Sequence, residues 1–65
     1  MSILSELICS QIQIQFYYHS GEYIPITDLY RLLEKCTSTP DLMLRKLLEL
    51  GILTTTDKPN VVQLK

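Results

Sequence analysis

The chain has no lysine or arginine before Arg31, so it lacks the basic leader of a secretory signal. Its formal net charge is -1, which also removes the strongly basic composition typical of nucleic-acid binders. No apolar run approaches the roughly 18 residues that a membrane span needs. Two cysteines, Cys9 and Cys36, are too few for a stapled secreted scaffold. Each falls on an apolar helical face, where cysteine usually acts as a small buried hydrophobe, and no base stands near Cys9 to lower its thiol pKa. The lone His19 has no metal-ligand spacing with either cysteine, so no metal is expected. Gly21 and Gly51 read as punctuation rather than as parts of a phosphate loop. No nucleophile–base pair or carboxylate pair stands out, and 65 residues leave little room for a substrate cavity. These absences point to a cytoplasmic domain with no catalytic residues, no cofactor and no membrane contact.

The residues that are present read as one small globular domain, with 46% hydrophobic and 20% charged residues. Thr39-Pro40-Asp41 has the form of a helix start: a hydroxyl cap, a proline that wastes no N–H, and a carboxylate at the positive end of the dipole. Leu42, Met43, Leu44, Leu47, Leu48 and Leu50 recur at helical spacing before Gly51 stops the run, which predicts a helix over about 40–50. Upstream, Thr27 reads as the cap of a helix over about 28–36 carrying Leu29, Leu32, Leu33 and Cys36. Ile26 precedes that cap, where it can staple onto a neighbouring helix. The short link Thr37–Thr39 then forces a helix-turn-helix crossing. After Gly51 the β-branched run 52–56, the turn Asp57-Lys58-Pro59-Asn60 and the extended Val61–Leu64 predict a hairpin over 52–64 with a four-residue tip.

Residues 12–16 alternate as a strand would, yet Leu4, Ile8, Ile12 and Phe16 also form an i, i+4 stripe. A stretch this long without glycine or proline favours a helix over about 2–18. Tyr23-Ile24-Pro25 is then a short strand.

This order of helix, short strand, helix, tight turn, helix and hairpin resembles the winged helix-turn-helix superfamily, in the manner of small regulators of bacterial, archaeal or viral type. The stretch from Tyr23 to Leu33 is similar to its strand and positioning helix. The segment ending in Leu48-Glu49-Leu50-Gly51-Ile52-Leu53 is similar to its recognition helix. Small winged-helix proteins linked to iron transport share the layout, but their cysteine-bearing wing is absent here. The resemblance implies a mainly α fold with a C-terminal wing, and a third helix that enters the major groove of double-stranded DNA. Thr39, Arg45 and Lys46 would then face the groove, and Lys58 at the wing tip would touch the backbone.

Charge distribution supports this placement modestly. Residues 1–30 hold three acids and no bases, whereas residues 31–65 hold six bases against four acids. Six scattered bases provide few phosphate contacts per copy, so useful affinity calls for two copies. The first and third helices also hold more apolar residues than one small core needs. Leu4, Leu7, Ile8, Ile12, Leu42 and Leu48 are therefore candidate interface residues, with a homodimer expected through the first helix. A second reading from another class is a winged-helix module that docks on protein through Leu42, Leu48 and the hairpin.

Overall fold

Nothing between Ile3 and Tyr17 breaks a helix, and these 15 residues form α1. The computed structural model describes residues 3–65, so Ser2, the expected first helical residue, lies outside the described residues. After α1 (Ile3–Tyr17) come β1 (Tyr23–Pro25), α2 (Ile26–Leu33), α3 (Pro40–Glu49), β2 (Leu53–Thr55) and β3 (Val61–Leu64). The strands form one antiparallel sheet in the order β1-β3-β2, with Ile24 opposite Val62 and Thr54 opposite Gln63. The short N-terminal strand thus widens the hairpin into a three-stranded sheet. Its approach is a tight turn, in which the His19 N–H donates to Glu22 Oε1 (2.8 Å) and the Glu22 N–H to the His19 carbonyl (3.1 Å). Gly21 supplies the left-handed residue there, at φ 87°.

Every element contributes to one core. Ile14 comes from α1, Ile24 from β1, Leu29 and Leu33 from α2, Met43 and Leu47 from α3, and Leu53, Val62 and Leu64 from the other two strands. Leu7, Tyr18, Ile26, Tyr30, Leu48 and Ile52 pack around its edge. α1 inserts Ser10 as well as Ile14 against this core. The Ser10 hydroxyl donates to the Glu6 carbonyl one turn back (2.8 Å), which satisfies the buried polar group within its own helix.

Several local expectations are corrected. α2 begins at Ile26 with Pro25 at the cap position, so Thr27 lies inside the helix rather than capping it. The Ile26 N–H donates instead to the Asn60 carbonyl of the hairpin tip (2.9 Å), so a turn distant in sequence satisfies the first free amide. The same helix ends at Leu33 rather than near Cys36, and its last carbonyls are taken up by tight turns from Glu34 to Thr37. Thr39 does occupy the cap position of α3, with Pro40 following, but its hydroxyl makes no capping bond. It lies 3.3 Å from the Thr37 hydroxyl, which also accepts from the Thr39 N–H (3.1 Å). The hairpin tip spans Thr56–Asn60 and is one residue longer than expected. Asn60 adopts a left-handed φ of 59°, which asparagine tolerates better than most residues.

The largest correction concerns the cysteines. Cys9 and Cys36 are joined in a disulfide with Cα atoms 5.7 Å apart. Neither is the free buried hydrophobe that its helical face suggests, because the packing of α1 beside the end of α2 brings the two side chains together.

Candidate functional site

α3 is anchored on one side only. Met43, Leu44 and Leu47 are buried, while Thr39, Asp41, Leu42, Arg45, Lys46 and Glu49 are exposed, as the 3.6-residue period requires. Thr39, Leu42, Arg45 and Lys46 therefore lie on the outer surface of this helix, whereas Leu48 is part-buried. Arg45 stands one turn from Asp41 and one turn from Glu49, spacings at which opposite charges interact on a helix. Two bases and two acids balance this face, so its positive potential is weaker than Arg45 and Lys46 alone would create.

The chain runs from α3 directly into the sheet. The Ile52 N–H donates to the Leu47 carbonyl (3.0 Å), and the Lys65 N–H donates to the Ile52 carbonyl (3.1 Å), fixing β2 and β3 at the end of the helix. At the hairpin tip, the Thr56 hydroxyl accepts from the Lys58 N–H (3.1 Å) and donates to the Val61 carbonyl (2.9 Å). Lys58 is exposed, but its ammonium lies 4.9 Å from the centroid of the Tyr23 ring on β1. This hairpin-tip base is thus drawn over the sheet. Such a contact at an exposed site is worth about 0.5–1 kcal/mol, small enough for a phosphate to displace.

The apolar candidates divide into two groups. Leu4, Ile8, Ile12 and Leu42 are exposed, and Phe16 extends the α1 stripe as its most exposed member. Leu7 and Leu48 are part-buried and pack against the core. Their helical positions place them on the rim of the buried face, which a count of apolar residues does not distinguish from the outer one.

Two open depressions flank α2. One of about 530 Å³ lies beside the disulfide and is lined by Glu6, Glu34, Lys35, Cys36, Thr37 and Ser38. The other, about 290 Å³, lies between the end of α1 and α2 and is lined by Tyr17, Tyr18, Asp28, Arg31 and Leu32. Burial raises the Tyr18 phenol above its ordinary pKa, with the Asp28 and Glu22 carboxylates adding to the shift. Lys35 is held over Tyr17, 5.9 Å from the ring centroid. Among the described residues no three His, Cys, Asp or Glu side chains converge as a metal site, and no helix is long and apolar enough to cross a membrane.

These features define a three-helix domain with a three-stranded antiparallel sheet, an outer helix of balanced charge and an exposed apolar stripe on its first helix. No family model and no solved structure matches the chain. It is similar to Uncharacterized protein ORF93 of Acidianus filamentous virus 2 (isolate Italy/Pozzuoli), with 62% identity over 65 residues, covering all of this chain and 70% of that protein. The chain belongs to the same family as that viral protein.

Proposed function

We propose that this chain is a winged helix-turn-helix DNA-binding domain that acts inside the cell, in two copies, as a transcriptional regulator. α3 is its reading helix and the β2–β3 hairpin its wing. The observation that carries this reading is the one-sided anchoring of α3, which leaves Thr39, Arg45 and Lys46 together on the outer surface. An exposed helix of this kind fits the major groove, where Arg45 and Lys46 can reach a guanine edge or a phosphate. Lys58 leaves Tyr23 to meet the backbone. The function is binding rather than catalysis, and it needs no cofactor or metal.

Duplex binding at low ionic strength, measured by fluorescence anisotropy across a salt series, tests the reading. The wild type binds with an affinity that falls as salt rises, and Arg45→Glu with Lys46→Glu abolishes binding while leaving the circular dichroism spectrum unchanged. Absence of salt-dependent binding by the wild type overturns it.

A second reading is favoured by the acids beside Arg45 and by the exposure of Leu42: α3 and the hairpin dock on protein. In that case Leu42→Glu abolishes capture of the partner, whereas duplex DNA is not bound at any salt concentration.

A further inference from the structure

α1 is apolar on two opposite faces. Leu7, Ser10 and Ile14 turn toward the core, and the i, i+4 row of Leu4, Ile8, Ile12 and Phe16 turns away from it. These four side chains are 62%, 51%, 60% and 78% exposed. Together they offer on the order of 500 Å² of surface per copy, taking about 200 Å² for a large side chain. That area falls within the size of the largest apolar patches on monomers, which are often functional.

We propose that this row is a self-association surface, through which two copies of the chain pair by crossing their α1 helices antiparallel about a twofold axis. Three observations select a second copy as the occupant. The row is symmetric in spacing: about a centre at Ser10, Leu4 is matched by Phe16 and Ile8 by Ile12. An antiparallel partner therefore presents Ile12 to Ile8 and Phe16 to Leu4. Secondly, α1 carries one charged residue, Glu6, which is part-buried and lies off the row, so pairing places no like charges in contact. The helix contains no lysine or arginine, the residues by which an interfacial helix holds an anionic membrane. Thirdly, two such rows facing each other remove up to about 1,000 Å² in total, the lower limit for a specific interface, which makes the pair weak and reversible.

Packing of i±4 ridges on both helices sets a crossing angle near -50°. The disulfide and the core contacts fix the rotation of α1 about its axis, and hence the direction in which the row points. The pairing is argued from α1 alone; its use in presenting two α3 helices to DNA rests on the proposed function.

Sedimentation velocity on the oxidised chain, from about 5 μM to about 500 μM, tests the pairing. The wild type moves reversibly from monomer to dimer within this range. Ile8→Lys and Ile12→Glu, both at exposed positions, each raise the midpoint at least about tenfold with unchanged circular dichroism. Mixing the two variants restores association, because the antiparallel arrangement places the new charges opposite each other. A wild type that stays monomeric throughout overturns the proposal, as does association of both single variants at the wild-type midpoint. Failure of the mixture to recover overturns the antiparallel geometry. A monomer that still binds DNA through Arg45 and Lys46 leaves the DNA reading standing while this inference falls, and a dimer that binds no DNA does the reverse.

Discussion

Cys9 in α1 is bonded to Cys36 just beyond α2, closing a loop across a sequence separation of 27. A chain this small buries only about 60% of the surface that its unfolded form exposes. α1 is held to the remainder by a short row of inward side chains, so this covalent tie contributes a large share of its attachment. In the loop-entropy account, closing a loop of this length removes unfolded-state entropy worth about 3.5 kcal/mol. Urea unfolding with and without reductant, or of Cys9→Ser with Cys36→Ser, is expected to show a loss of about 2–4 kcal/mol. Coincident midpoints in the two redox states would disprove the contribution.

Core and outer positions on α1 should separate sharply under truncation. Ile14 is fully buried, so Ile14→Ala is expected to cost about 2–5 kcal/mol. Ile12→Ala, two residues away, is expected to change stability by no more than about 0.5 kcal/mol when measured at dilute, monomeric concentration. Chemical denaturation of both variants checks the assignment of the two faces.

The Tyr18 phenol titrates above its ordinary value of 10.0, first because of burial and then because of Asp28 and Glu22. The unfolded chain ionises at the ordinary value, so the stability carried by the neutral phenol is fully present below about pH 10. It is lost as pH rises through the higher folded value. Tyr18→Phe is therefore expected to lose less stability between about pH 9 and about pH 11 than the wild type. Parallel alkaline slopes for the two proteins would contradict this.

Asn60 holds its left-handed backbone where its carbonyl receives the first amide of α2. Asn60→Gly keeps that conformation accessible and should change stability by a few tenths of a kcal/mol. Asn60→Val strains the same position and should cost about 1–3 kcal/mol, read as a lower melting temperature.

If Lys58 meets a phosphate, Lys58→Ala reduces the slope of log affinity against log salt by about 0.9. Tyr23→Leu removes the competing ring and should strengthen duplex binding modestly. An unchanged salt slope for Lys58→Ala would remove the wing from the proposed contact.

Local signals made much of this architecture legible. Proline after Thr39 and glycine after Leu50 bracket α3, and the change from helical to β-branched spacing marks the hairpin. The start of α2 was not legible, because the Ile26 amide is satisfied by Asn60, far away in sequence. The orientation of α1 was equally obscure. A helix apolar on two sides does not declare which one faces inward, and here Ser10 joins the core because its hydroxyl bonds within the helix. The disulfide required knowledge of how α1 lies beside α2, which spacing alone does not supply. Of the candidate surface, Arg45, Lys46 and Leu42 followed from periodicity. The fold-back of Lys58 onto Tyr23 did not, since β1 meets the hairpin only in three dimensions.

Because β3 is the middle strand, β1 and β2 have no bond to each other except through it. During synthesis all three helices emerge before the ribbon that completes the sheet. Until β3 is in place, Ile24 and Leu53 lack the strand that covers them, so a partly synthesised chain exposes apolar surface that a neighbouring molecule can meet first.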